Sequence, residues 1–473
     1  MTILVSVVML MVLFAPAQLV MAQNATAETW TSAIVYFNTS GDTGSMDLTF
    51  YDGATSYPAA SMAVNGHQNG TILVGSISTT PSMPSSFKGS AVLSASVPLA
   101  VVHYDYSQGN PDTYDRAFYS AFDLSQANNE IYITTVEKTA HSQVTTSRVG
   151  VQNVETSASA NVTLHFINVG ETTAFFTKAQ TIAPSASYVF SLLDADFSTI
   201  PNNWSGSLKI TTSPSALILA AAEQTAGARR YAYSFEGVKS GEYTINVPTM
   251  LCHYGSEDQT SYIAIQANGG DANVTVKHYD KFTGLQIGST YGPVSVPNGS
   301  KEVVNPCIKG AVPYGAVGSS IITAAVFPVN VSVKVNGTTG LRTAYIAQGT
   351  GTETVALPYV SYHNDKYTDF RTYISVMNVD TVDGENIVAT YYNEDGTVKT
   401  THTLATGTTK LGPLQKVNTQ LGLLGGGNWK GAVMITSDVD IFVSARSHKG
   451  FTGLEANAAQ MGEDYTGIPV TTP

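Results

Sequence analysis

Residues 204–210 read WSGSLKI, residues 429–435 read WKGAVMI and residues 87–93 read FKGSAVL. Each string is an aromatic residue, a spacer, a glycine and then an apolar alternation. From Gly89 to Gly206 is 117 residues and from Gly206 to Gly431 is 225, close to twice as far, so a further copy is expected near residue 318. Gly318 is there, in AVGSSIITAAVFPVNVSVKV, with Ala316 where the other copies carry an aromatic. The resulting spacings of 117, 112 and 113 residues make the motif a ruler for a fourfold repeat.

The flanks repeat with it. Upstream of each glycine lies an alternating run, MDLTFYD (46–52), NVTLHFIN (161–168), NVTVKHYD (273–280) or NIVATYYNEDG (386–396). Ahead of these stand SAIVYFN (32–38), RVGVQNV (148–154), SYIAIQAN (261–268) and RTYISVMNV (371–379). After each glycine strand comes a second apolar run, and then a closing run: NEIYITTVEK, EYTINVPTM, TETVALPYV and DYTGIPVTTP. Alternation with period two, short strands and Gly/Asn/Asp/Pro turns predict an all-β protein of four tandem antiparallel β-sandwich domains of about 110 residues. The expected boundaries are 23–140, 141–253, 254–361 and 362–473, after a leader at 1–22. The patterns x-I-x-V-x-N, N-V-T-L-x-F-Y-D and W/F-x-G-S-x-x-I-T-S-x-x-P resemble the tandem immunoglobulin-like repeats of secreted prokaryotic surface proteins. That resemblance implies adhesion, surface-layer or fibre roles without a catalytic centre, and it carries over no functional residue.

Composition agrees with sheets. Only 12% of the 473 residues are charged, about half the usual ~25%, so helices laced by ion pairs are not expected. A net charge of −12 argues against nucleic acid as a partner, since binding the phosphate backbone needs a basic footprint. The opening MTILVSVVMLMVLFAPAQLVMA reads as a secretory signal, with an apolar run from Ile3 to Phe14, Pro16 as its breaker and small residues near Ala22, though it has no basic start. The rival reading is an uncleaved anchor. With cleavage, no later stretch is apolar enough to span a membrane, and an extracellular or cell-surface location follows. Cys252 and Cys307 suit one disulfide better than a metal site, because zinc needs two further close ligands.

Motifs for chemistry are scarce: H-E-x-x-H, G-x-S-x-G, a phosphate loop and C-x-x-C are all missing from the sequence. GLLGGGNWKG (422–431) lacks the Lys-Ser/Thr a phosphate loop requires. His103-Tyr104-Asp105 and His278-Tyr279-Asp280 fall at different repeat positions and read as polar residues on edge strands. Calcium is the one cofactor considered, with weak oxygen-rich turns at Asp380, Asp383 and Glu385 and at Asn110, Asp112 and Asp115. Asp194, Asp196 and Glu223 are the carboxylates a glycosidase reading would need, although no repeat is enlarged into a catalytic domain. Aromatic platforms for polysaccharide, such as RRYAYSF (229–235), are the more plausible alternative. Asn-x-Ser/Thr sequons at Asn24, Asn38, Asn69, Asn161, Asn203, Asn273, Asn298, Asn330 and Asn336 are candidate glycan acceptors.

The closing runs INVP (245–248) and VALP (355–358) are open to two registers: each ends its own unit or begins the next. In the second register the first unit lacks an opening strand and 464–473 is a spare one. Donation of that strand to another copy would build a head-to-tail filament. The sequence-based expectation is therefore a secreted, non-enzymatic structural protein of the cell surface, self-associating. A carbohydrate-binding adhesin is the alternative, and a polysaccharide-active enzyme the third choice.

Overall fold

The computed structural model describes residues 29–85, 87–108, 116–140, 145–226, 232–256, 258–338, 341–362, 370–419, 428–449 and 462–470. The leader at 1–22 and the Asn110, Asp112 and Asp115 turn lie outside them. Among the described residues there is no α-helix, and the chain is built of antiparallel sheets.

The first eight strands are β1 (Thr29–Asn38), β2 (Gly44–Asp52), β3 (Thr55–Pro58), β4 (Met62–Val64), β5 (Asn69–Leu73), β6 (Ser90–Ala95), β7 (Leu99–Gln108) and β8 (Arg116–Ser120). Next come β9 (Glu130–Lys138), β10 (Thr145–Asn153), β11 (Ala160–Asn168), β12 (Ala174–Ile182), β13 (Ser187–Ser191), β14 (Trp204–Ser213), β15 (Ile218–Ala226) and β16 (Ala232–Glu236). Then follow β17 (Thr244–Cys252), β18 (Thr260–Ala267), β19 (Ala272–Asp280), β20 (Gln286–Val296), β21 (Lys301–Val304), β22 (Ala316–Ala325), β23 (Val329–Asn336) and β24 (Arg342–Ala347). The last are β25 (Thr352–Tyr362), β26 (Phe370–Asn378), β27 (Ile387–Tyr392), β28 (Val398–Ala405), β29 (Lys416–Thr419), β30 (Trp429–Lys449), β31 (Gly462–Thr466) and β32 (Ile468–Pro469).

One strand order recurs. The sheet β5-β1-β7-β8 returns as β13-β10-β15-β16 and as β21-β18-β23-β24. A second sheet, β12-β11-β14-β9, returns as β20-β19-β22-β17. Near the end both orders merge into one eight-stranded sheet, because β30 is a single 21-residue strand that serves both. The earlier glycine strands stop at links containing Pro98, Pro214 and Pro328, which cannot donate to a ladder. The corresponding link, Ser437-Asp438-Val439-Asp440, has no proline, and the strand runs on.

The register question resolves in favour of the following unit. β9 pairs with β14, β17 with β22 and β25 with β30, each with a bulge in the middle. These lead strands thus belong to the sheets downstream of them. The expected boundaries at 140/141, 253/254 and 361/362 cut each lead strand from its ladder, because alternation reports which face a residue takes and not which strand it pairs with. DYTGIPVTTP is corrected too. β31 pairs with β30 and β32 returns onto β25, so of the expected spare strand 464–473 the described part is held within its own sheet. Residues 471–473 lie outside the described residues.

Alternating apolar residues of paired sheets make the cores: Ile34, Leu48 and Leu93 in the first, Val149, Leu164 and Leu208 in the second. The third joins Ile263, Val274 and Ile322, and the last Ile374, Ala389 and Val433. The ruler glycines all lie where a neighbouring carbonyl leaves no room for a side chain. A Cβ would fall 1.8 Å from Tyr51 O at Gly89, 2.4 Å from Ile167 O at Gly206, 1.8 Å from Tyr279 O at Gly318 and 2.1 Å from Tyr392 O at Gly431. The motif aromatics fold back over these glycines. Trp204 Nε1 donates to Asn168 Oδ1 at 2.8 Å and Trp429 Nε1 to Asn393 Oδ1 at 3.0 Å. Where the aromatic is absent, Met250 covers Gly318 instead, beside Cys252.

The successive groups also close on themselves. β8 touches β16, β16 touches β24, β24 touches β31, and β31 touches β8. Ser234 Oγ donates to Phe118 O at 2.6 Å, Thr466 Oγ1 to Ile346 O at 2.7 Å and Ser120 Oγ to Thr466 O at 3.0 Å. The last group therefore packs on the first as well as on the third.

Candidate functional site

Among the described residues, an exposed aromatic stack stands at the end of β17. Cys252 ends that strand and is bridged to Cys307, as expected for the pair. The bridge brings the 305–315 loop alongside, where Gly315 N donates to Cys252 O at 2.8 Å. His253 then turns with a φ of 51°, and a two-way backbone bridge between Tyr254 and Gln259 closes a tight hairpin. Tyr314 lies over His253 with ring centroids 4.8 Å apart and planes 9° from parallel. Asp258 Oδ1 accepts from Tyr314 Oη at 3.2 Å and lies 2.8 Å from His253 Nδ1. The carboxylate, by its charge and then its hydrogen bond, raises the phenol pKa. Tyr314 is 78% exposed, so the platform presents one open π face with a hydroxyl and a carboxylate at its rim. Such a face stacks against the apolar face of a pyranose while the rim meets its hydroxyls. Tyr314 stands two residues before Ala316, the position where the other copies of the motif carry an aromatic, but its ring points outward.

The other expected sites do not assemble. Asp380 Oδ1 accepts from Thr381 N at 2.6 Å in its own turn, while Lys410 Nζ bonds Glu385 and lies 3.9 Å from Asp383. A lysine thus occupies the place a calcium ion would need. Among the described residues no three His, Cys, Asp or Glu side chains are grouped to hold a metal ion. Asp196 is paired with Lys178, and Glu223 is buried on β15, so the glycosidase carboxylates share no groove. His103 and His278 are corrected from edge to interior: both are fully buried, on β7 and β19, each of which is flanked by two strands. Burial lowers the His278 pKa to about 4, and its Nδ1 lies 2.8 Å from Ser320 Oγ. Asp280 caps its own turn, accepting from Phe282 N and Thr283 N. Of RRYAYSF, 229–231 lie outside the described residues, and Tyr233 and Phe235 are buried rather than displayed. The phosphate-loop stretch 422–427 also lies outside them.

Sequon geometry divides the asparagines. Asn38 is fully buried, with Nδ2 donating to Asp42 O and Asn65 O, and Asn69 donates to Asn393 O at 2.8 Å. Asn330 is 3% exposed. Their amides are committed inside the fold, because an Asn ending an alternating strand is a loop brace: Asn153 and Asn378 play the part of Asn38. Asn161, Asn203 and Asn273 are exposed, and Asn298 and Asn336 half-buried. Asn24 lies outside the described residues.

Interior charge is concentrated where groups of sheets meet. Lys334 Nζ donates to Glu137 Oε1 at 2.9 Å and Gln224 Oε1 at 2.6 Å. Lys301, lowered to about 7 by burial, reaches Thr135 and Ser205. Lys416 donates to Pro248 O at 2.6 Å, and burial drives its pKa well down. Arg446 forks onto Asp464, which is 3% exposed. Glu223 has no hydrogen bond at either oxygen; burial first, then Asp105, raise its pKa to about 8 against Arg148.

No family model matches this chain, and no curated protein does. Among solved structures, the crystal structure of Thermotoga maritima 1070 is similar over 25% of this chain and 96% of its own, at 15% identity and a TM-score of 0.20. A likeness that low carries no argument about fold or function. Among the described residues, no helix is long and apolar enough to cross a membrane.

Proposed function

We propose that this chain is a secreted, non-enzymatic structural protein of the cell surface, made of four immunoglobulin-like β-sandwich repeats joined in a closed circuit. The observation that carries the reading is the use of ionisable groups. Lys301, Lys334, Lys416, Glu137 and Arg446, the last reaching Gln259 Oε1 at 3.3 Å, are buried or half-buried as braces between groups of sheets. A protein whose charged groups serve to lock its parts together is suited to bearing force or forming a coat. A disulfide in the third group agrees with an oxidising location. Assembly into a filament by donating 464–473 is withdrawn as a route, because that strand is engaged at home. Immunogold labelling of intact cells and electron microscopy of the purified chain test the proposal. Surface label and ordered arrays are expected; label confined to the cytoplasm overturns it.

A second reading rests on the Tyr314 platform: weak polysaccharide binding by an adhesin. A glycan array probed with the wild-type chain and with Tyr314→Ala is expected to show sugars that bind only the former. Equal binding by both removes this reading and leaves the first standing.

A further inference from the structure

Each sheet built around a ruler glycine has an outer edge, formed by β3 with β4, by β12, by β20 or by β28. A free edge invites pairing with another chain, and three of these four edges are blunted against it. β3 and β4 are four and three residues long, and β3 ends at Pro58. β20 holds Gly288 and Gly292 at positive φ, Pro293, and two register shifts along its ladder with β19. β28 keeps four regular pairs with β27 between shifts at both ends. β12 has none of these devices. It makes seven consecutive pairs with β11, from Phe176 opposite Phe166 to Ile182 opposite Ala160, and contains neither glycine nor proline. Its one charged side chain, Lys178, is bonded to Asp196. Among the described residues β12 pairs with β11 alone.

The regular stretch reads F-T-K-A-Q-T-I over 176–182, which is symmetric in chemical type about Ala179. An antiparallel neighbour of the same sequence, centred on Ala179, sets Phe176 against the partner's Ile182, Thr177 against the partner's Thr181 and Lys178 against the partner's Gln180. Ala179 meets its own copy. These are apolar, hydroxyl and polar cross-strand pairs, and no charge faces a like charge. The faces agree as well. Thr177, Ala179 and Thr181 are exposed on the outward face, whereas Phe176, Lys178 and Gln180 are half-buried and Ile182 is buried. Residues directly opposite one another share a face, so the joined sheet keeps its apolar side inward and its threonines outward.

The surroundings suit a second copy. On the outward rows of β11, β12 and β14 the one formal charge is Lys209, and Glu130 pairs with it at 2.7 Å. His165, beside Lys209, has its pKa lowered by burial and then by that lysine. Two copies of a chain with a net charge of −12 therefore meet here without opposing like charges.

We propose that β12 is a self-association edge, at which two copies of this chain join β12 to β12 antiparallel about Ala179 and continue one sheet across a two-fold axis. The contact is isologous and closes at the dimer. It goes beyond the surface role and does not depend on it, because dimerisation is read in solution. Sedimentation of the purified protein from about 1 to about 200 µM, the range for a small interface, is expected to show a monomer–dimer equilibrium. Ala179→Lys places like charges face to face at an exposed position and should weaken the dimer at least about tenfold with an unchanged urea midpoint. Ala179→Glu should do the same, and an equimolar mixture of the two variants should restore dimers. A covalent readout is independent of both: Ala179→Cys should form an intermolecular disulfide, and Thr401→Cys, on the exposed face of the blunted β28, should not. A monomer throughout that range, a dimer indifferent to Ala179→Lys, or equal cross-linking of the two cysteine variants would each overturn the proposal.

Discussion

Gly206→Ala probes the reading of the ruler motif as a close-approach element. A Cβ there would sit 2.4 Å from Ile167 O and 2.2 Å from Trp204 Cζ2. Ordinary contact needs ~3.4 Å or more, so the β11–β14 pair must open by about 1 Å, which carries a ~2.9 Å ladder bond out of range. Losing one such bond costs about 1 kcal/mol, and the forced repacking of the indole about 1–3 more. The expected destabilisation is therefore about 2–4 kcal/mol. Urea unfolding followed by tryptophan fluorescence measures it as a fall in midpoint at unchanged slope. Gly75→Ala is the matched control, since a Cβ there meets nothing within 4 Å and should shift stability by less than ~0.5 kcal/mol. If Gly206→Ala proved as mild as Gly75→Ala, the close approach would not be what fixes glycine at this position.

Trp429→Phe removes the indole bond to Asn393 and should cost about 1 kcal/mol, with little further loss when Asn393→Ala is added, as a double-mutant cycle would show. Glu223 is held protonated by burial and by Asp105, so the stability it contributes is full below the ordinary carboxylate pKa and is lost as pH rises towards about 8. Wild type should accordingly lose at least about 1 kcal/mol relative to Glu223→Gln between pH 5 and pH 8, measured by unfolding midpoints; parallel pH profiles would contradict this. Opening the Cys252–Cys307 bridge, which spans 55 residues, by double serine substitution should cost about 2–4 kcal/mol and loosen Tyr314 from His253, read as quicker proteolysis of the 305–315 loop.

Several structural features were legible in particular residues. Gly89, Gly206, Gly318 and Gly431 could be counted because a backbone contact repeated at fixed intervals forbids any other residue type. Strand faces followed from alternation, and the disulfide from two cysteines with no metal-binding company. Asn38 misled, because Asn-Thr-Ser is a sequon and a strand-end brace alike, and only its hydrogen-bond partners separate the two. His103 and His278 misled for a similar reason: a histidine in an alternating run gives no sign of whether its strand is central or at an edge. The Tyr314 platform had no signal beyond an unexplained tyrosine, since its partners His253 and Asp258 are distant in sequence and joined to it through the disulfide.

The sequence by itself determined the all-β character and the interval of the repeat, because alternation and forced glycines are local consequences of sheet geometry. Only the tertiary structure decided which sheet each lead strand joins, that β31 is already engaged, and that the last group closes on the first. These are questions of ladder partnership. A strand carries the same donors and acceptors whichever neighbour it meets, so the choice is made by the packing of residues hundreds of positions apart.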